Sequence, residues 1–323
     1  MAENLKDRPG KIVLGCYPTP LQELKNFSRK LGGGRKLYIK RDDLAGIGLG
    51  GNKVRKMEYL LAEALNEGCD CVVTGGGSRS NQPLAVAACA AKAGLRTHLV
   101  YANETETISR SLARMMGVTE HFADSSEKPD MMRGIRKTAA ELKAQGLKPY
   151  IIPPGASSPL AALGYADAVK ELSGQAAAAG LKIGHIVCCG ATGNTYAGIV
   201  LGAPLYCPGT KTAAVAIGRR FTHAATLCRQ AMAAAELAGC AAALAEDDFH
   251  VHFSCGKGAS YPTGKGREAM LALAASEGIL LDPYYTGKAF GGLLELNSEG
   301  AFEEGETIVF IHTGGLAALL NSL

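Results

Sequence analysis

Cys71-Val72-Val73-Thr74 runs straight into Gly75-Gly76-Gly77, and the alanine-rich stretch Asn81–Lys92 follows before Gly94 breaks it. The first run is short and β-branched, as a strand requires. The second has helix composition and a glycine stop. Leu95–Tyr101 then returns to strand composition. Strand, helix and strand in this order predict a βαβ unit with parallel strands and a right-handed crossover.

The same alternation continues outward from that unit. Ile183–Cys189 reads as a buried strand, and Gly190-Ala191-Thr192-Gly193-Asn194-Thr195 leads from it into a helix. Ala213–Ile217 is a further strand, followed by a helix from about Thr222 to Leu237. Thr307–Ile311 is a late strand ending at His312-Thr313-Gly314-Gly315. This pattern predicts an α/β fold of open parallel sheets covered by helices. Seams are expected near Gly46–Gly51 and Pro153-Pro154-Gly155.

With 323 residues, 47% hydrophobic and 20% charged, the chain is long enough for two domains and too apolar for wholesale disorder. Its formal charge of +4 is small, and no basic block interleaved with aromatics appears, so nucleic acid is not the expected partner. The ten cysteines stand singly or as Cys69/Cys71 and Cys188/Cys189, without a C-x-x-C pair or a nearby histidine. Reduced structural thiols, no metal site and a cytoplasmic setting follow. No apolar run reaches membrane-spanning length, and the first residues lack a signal-peptide core.

Three segments could carry chemistry. In Gly50-Gly51-Asn52-Lys53-Val54-Arg55-Lys56, Asn52 suits a helix N-cap, and apolar residues at 54, 57, 60, 61, 64 and 65 trace one helical face. Lys53 and Lys56 then sit in the first turn, where the helix dipole disfavours cations. Either they reach into water, or the turn serves a phosphate and an amine of lowered pKa. The neighbouring G-x-G-x-x-G match is discounted because Arg41-Asp42-Asp43 interrupts the strand before it. A Walker pattern fails because Asn52 precedes Lys53 and Val54 follows it. The second segment, Gly75–Gln82, offers helix-start N–H groups plus Ser80 and Asn81 to a carboxylate; simple N-capping is the alternative. The third, Gly190–Thr195, is a phosphate cradle without the Walker lysine, or a generic strand-to-helix turn. Tyr261, Asp282-Pro-Tyr-Tyr285-Thr286-Gly-Lys288 and the Thr313 strand end are weak singly.

Taken in order along almost the whole chain, these segments resemble the fold-type-II (tryptophan synthase β-like) pyridoxal-phosphate enzymes of the D-cysteine desulfhydrase and 1-aminocyclopropane-1-carboxylate deaminase family. The carrying motifs are Gly-Gly-Asn-Lys53-x-Arg-Lys56, Ser80-Asn81-Gln82 and Asp282-Pro-x-Tyr, framed by Pro18-Thr-Pro20 and Lys40-Arg-Asp-Asp43. The resemblance implies pyridoxal 5'-phosphate as cofactor, bonded as a Schiff base to Lys53. It places Lys56 and the loop Ala191, Thr192, Gly193, Asn194 and Thr195 on the phosphate, and Asn81 on the phenolic oxygen. Ser80 would serve the substrate carboxylate, and Tyr261 and Tyr285 would flank cofactor and substrate. It also implies a cytoplasmic homodimer. Residues 1–50 with 165–323 would form a large cofactor domain and 51–164 a small one.

Ring-opening members of this family generally carry Glu after the second tyrosine and Leu in His-Leu-Gly-Gly. Here Thr286 and Thr313 stand at those positions, as in the cysteine-type members. A hydroxyl leaves the pyridine nitrogen unprotonated and the electron sink modest, which suffices for a good β-leaving group. β-Elimination on D-cysteine is therefore expected, with L-cysteate elimination, ring-opening deamination and non-catalytic cofactor binding as the rivals. One departure stands out: relatives continue Ser-Asn-His/Gln-x-Arg-Gln, whereas this chain has Gln82-Pro83-Leu84-Ala85.

Overall fold

A computed structural model of the chain describes residues 9–77, 79–125, 128–218, 223–240 and 243–323. Its strands are β1 (Leu21–Glu23), β2 (Lys36–Lys40), β3 (Cys71–Gly76), β4 (Arg96–Tyr101), β5 (Thr119–Phe122), β6 (Pro149–Ile151), β7 (Ile183–Gly190), β8 (Lys211–Ala216), β9 (His250–Phe253) and β10 (Thr307–Ile311). They form a six-stranded sheet, β1-β2-β10-β7-β8-β9, and a four-stranded sheet, β5-β4-β3-β6. The β3–β4 pair is parallel, as the opening motif predicts. All other pairs are parallel except β1 with β2, a short antiparallel edge that the sequence reading did not anticipate.

Parallel sheets need cover on both faces, and the burial pattern meets that need: β3 and β10 are buried throughout. One side of the large sheet packs against the helices Lys53–Asn66, Pro159–Ala178 and Asn194–Tyr206. The other side is closed by the helices Gly264–Glu277 and Thr286–Ser298, with Phe290 edge-on to Phe27 and Phe310 at 5.0 and 5.2 Å. Offset and edge-on rings of this kind add to the area they bury.

Two differences from the sequence reading have local causes. Gly75 and Gly76 are the last residues of β3, not a turn, and pair with Val100 and Tyr101. A Cβ on Gly75 would meet Met131 Sδ at 2.5 Å, so glycine here permits packing. The helix expected from about Thr222 is described as Ala224–Leu237; Thr222 itself lies outside the described residues.

The Lys53 helix is held from behind by an ionic cluster. Arg55 grips Asp42 with two bonds of 2.9 and 2.8 Å and Glu171 with two of 3.0 Å. Tyr165 and Thr19 hydroxyls donate to Asp42 at 2.7 and 2.8 Å, and Lys40 pairs with Glu171. Asp42 is fully buried, which alone would raise its pKa, yet Arg55, the Tyr165 hydroxyl and the Lys40 charge hold it below the usual carboxylate range.

Candidate active site

The carboxyl ends of β3, β7 and β10 face one another across a cavity of about 270 Å³ between the two sheets. Ligands bind at such strand ends in open α/β sheets. Lys53, Ser80, Asn81, Tyr285 and Thr313 all line it. Ala191, Thr192, Gly193 and Thr195 form its opposite wall. The three segments singled out in the sequence, more than 100 residues apart at the extremes, thus converge on one space.

Asn52 precedes the Lys53 helix but makes no side-chain cap, contrary to its expected role. Its amide instead donates across the cavity floor to Thr195 Oγ1 at 2.9 Å, and its backbone N–H to the Thr313 carbonyl at 3.0 Å. Gly51 (φ +99°) makes that approach feasible: a Cβ there would stand 2.8 Å from the Thr313 oxygen.

Among the described residues Lys53 Nζ donates only to the side-chain Oδ1 of Asn52, at 3.4 Å, and Lys56 Nζ only to the Gly155 main-chain carbonyl, at 3.3 Å. Neither amine pairs with a carboxylate among the described residues. Burial pulls Lys53 down to about 8, with a small opposing influence from the Cys189 thiol. Burial and then the Lys53 charge hold Lys56 far below the ordinary lysine value. Lys56 lies behind the cavity wall rather than on it, one residue's width from Gly155, which does line the space.

The phosphate-type loop ends in Gly193 (φ +87°), after which the Asn194–Tyr206 helix presents its first amides without partners inside the helix. Asn194 itself turns away from the cavity and donates to the Ser158 carbonyl at 2.7 Å. At the facing helix start, Pro83 removes one N–H and Gln82 N donates to Ser80 Oγ at 3.3 Å. Asn81, in the N-cap position, makes no side-chain cap.

Thr286 does not line the cavity. Its hydroxyl donates to Asp282 Oδ2 at 2.7 Å and accepts the Asp282 N–H at 2.9 Å, both fully buried. Asp282 also takes the N–H groups of Tyr284, Tyr285 and Thr286 at 2.7–2.9 Å, which shapes the turn that aims Tyr285 at the cavity. Tyr261 stands outside the cavity as well, 56% exposed beyond Gly258.

Sequence reasoning missed several residues of the wall. Gln82 Nε2 donates to Thr74 Oγ1 at 2.7 Å and the Pro153 carbonyl at 2.8 Å, tying the Ser80 loop to the Gly155 loop. Cys189, Met131 and Gly155 line the space too. Only Gln82 had a signal, its place beside Ser80-Asn81. His312 is buried and neutral in character: Nδ1 accepts the Gly314 N–H at 3.3 Å while Nε2 donates to the Leu280 carbonyl at 3.0 Å, and burial lowers its pKa.

Comparison with known proteins agrees with this geometry. A family model described as pyridoxal-phosphate dependent enzyme matches residues 12–314. A Salmonella choleraesuis protein named D-cysteine desulfhydrase is 36% identical over 320 residues, 96% of this chain and 95% of that one. A Pyrococcus horikoshii protein provisionally named 1-aminocyclopropane-1-carboxylate deaminase is 39% identical over 311 residues, 95% and 92% of the two chains. A solved structure titled as an ACC deaminase homologue superposes with a TM-score of 0.88 at 37% identity, covering 97% of this chain and 94% of that one.

Proposed function

This chain belongs to the pyridoxal-phosphate dependent enzymes, within the group that holds the deaminase and D-cysteine desulfhydrase relatives, and we propose that it performs β-elimination on cysteine, D-cysteine first. It is a lyase of the fold-type-II architecture that uses pyridoxal 5'-phosphate. The observation that carries this substrate is the make-up of the cavity wall. Among the residues lining it there is no Asp or Glu to protonate a ring nitrogen; Thr313 supplies a hydroxyl, and Thr286, at the position where ring-opening members carry Glu, is turned to Asp282.

The residues present fit the cofactor. Two amines without carboxylate partners and a row of free helix-start amides suit its phosphate, which Lys56 and the Gly193–Thr195 loop would hold. Lys53, pulled toward 8, is neutral in a useful fraction of molecules near neutral pH, and a neutral amine is what bonds an aldehyde. When bound, the cofactor supplies the electron sink that makes the substrate's α-proton acidic. Lys53 Nζ would take that proton from the α-carbon. Ser80 would orient the substrate carboxylate, and Asn81 the cofactor's phenolic oxygen. Tyr285, whose hydroxyl is held protonated by burial and by the Asp282 charge, would flank the substrate and keep water off it. The overall reaction balances as D-cysteine plus water giving pyruvate, sulfide and ammonia.

We extend the proposal to two domains, 51–164 and 1–50 with 165–323, each built on one of the two sheets, and to a homodimer acting in the cytoplasm. No helix among the described residues is long and apolar enough to cross a membrane.

A pyruvate-release screen tests the substrate. D-cysteine or β-chloroalanine should exceed the cyclopropane acid by at least ~100-fold, about 2.7 kcal/mol in the transition state. Comparable rates on the cyclopropane acid overturn the reading. Release from L-cysteate alone transfers it to a sulfo-lyase, and a coloured protein releasing nothing from any substrate transfers it to a non-catalytic carrier.

A further inference from the structure

Lys288 is fully buried in the first turn of the Thr286–Ser298 helix, three residues after Tyr285. Its amine donates to three main-chain carbonyls: Gly258 at 2.7 Å, Ile217 at 3.2 Å and Cys255 at 3.3 Å. An ammonium has three donors and no acceptor, so donors and acceptors match one for one. Among the described residues no carboxylate pairs with this amine, and its three bonds go to the backbone. Gly258 sits at φ +134°, a region L side chains rarely enter, and its carbonyl makes the shortest of the three contacts.

The loop so gripped, residues 254–261, reaches the cavity mouth. The Ser260 carbonyl accepts from Arg79 Nη1 at 3.2 Å, and the Arg79 guanidinium lies 5.0 Å over the Tyr284 ring. Arg79 comes from the opposite wall, beside Ser80. One cation therefore fastens the loop from beneath, and a second fastens it across the mouth.

We propose that Lys288 is a positioning residue, a tethered cation whose ammonium sets loop 254–261 against Arg79 and Tyr285 and so shapes the substrate side of the cavity. A neutral side chain of similar volume would take the charged donor from all three carbonyls, leaving Cys255 and Gly258 with the main-chain N–H groups of Gly258 and Tyr261 and Ile217 with no donor among the described residues, which packing alone does not remedy. The chemistry recognised by the carbonyl set is a small monovalent cation, so shortening Lys288 should create a site for one. The inference rests on the cavity being the active site, and its test separates the two ideas.

Lys257 is exposed within the loop and offers trypsin a cleavage point that reports loop release without any turnover. Lys288→Met should keep the cofactor's absorbance, raise KM more than it lowers kcat, and speed cleavage after Lys257 about 10-fold. Lys288→Ala should behave alike, and about 100 mM ammonium or potassium should reverse most of both effects where tetramethylammonium does not. A cleavage rate in Lys288→Met within about 2-fold of the unmutated enzyme overturns the proposal. So does a Lys288→Ala enzyme that responds equally to potassium and tetramethylammonium. Should Lys288→Ala be insoluble, its refolding yield in ammonium against tetramethylammonium asks the same question, and equal yields overturn it. An unmutated protein that releases no pyruvate sinks the proposed reaction but leaves the cleavage comparison intact.

Discussion

One helical turn carries three cations with opposite fates. Arg55 faces away from the cavity and meets Asp42 and Glu171 through four hydrogen bonds. Lys53, which lines the cavity, and Lys56, behind its wall, meet only amide and main-chain carbonyl oxygens among the described residues. A buried ion pair costs desolvation on both partners and repays it only with full satisfaction, as around Arg55. Leaving two amines unpaired a turn away is worth its cost only if a ligand brings the missing charge. Pairing thus separates scaffold from site more sharply than burial does.

The comparison breaks most readily at Lys53. Lys53→Ala should reduce pyruvate release by about 10⁴-fold or more, roughly 5.5 kcal/mol, while the melting temperature of the apoprotein holds or rises. A fall in apoprotein stability would place Lys53 with the scaffold instead. The opposite signature is expected at Asp42: Asp42→Ala strands a buried guanidinium and should cost about 3–5 kcal/mol in denaturant unfolding. A loss below about 1 kcal/mol would show that Glu171 alone neutralises Arg55.

Lys56→Ala and Thr195→Ala should weaken cofactor retention by roughly 1.5–3 kcal/mol each, read by dialysis and absorbance, with unfolding midpoints little changed. Unaltered retention in both would remove the Gly190–Thr195 loop from the phosphate.

A pH dependence of comparable size is expected. Lys53 titrates near 8 when folded and near 10.5 when unfolded, so between those values the unfolded chain binds more protons. Apoprotein stability should therefore rise with pH from about 8 until tyrosines begin to ionise near 10. Lys53→Met should flatten that rise; an identical slope in both proteins would assign it to another group.

Much of this was legible in the order of residues. The βαβ signal at Cys71–Tyr101, the strands at Lys36–Lys40 and Thr307–Ile311 and the three cavity loops all depend on short-range spacing. Strand length, helix starts and glycine turns are local matters, and the Lys53-x-Arg55-Lys56 spacing already set two cations where a helix dipole opposes them. What spacing could not reveal is which remote group each side chain meets. Asn52 looks like a cap until Thr195, 143 residues away, takes its amide. Thr286 looks free until Asp282 engages its hydroxyl from both sides. Cys189 and the Lys288 carbonyl cage have no local pattern at all. The antiparallel β1 edge was equally silent, because three residues carry too little periodicity to announce a strand. Sequence determined most of the elements and the family, and it singled out Lys53 as the lysine we propose for the cofactor. The packing of two sheets decided which charges are paired and which are left for a ligand, because such contacts exist only once distant segments share the same low-dielectric space.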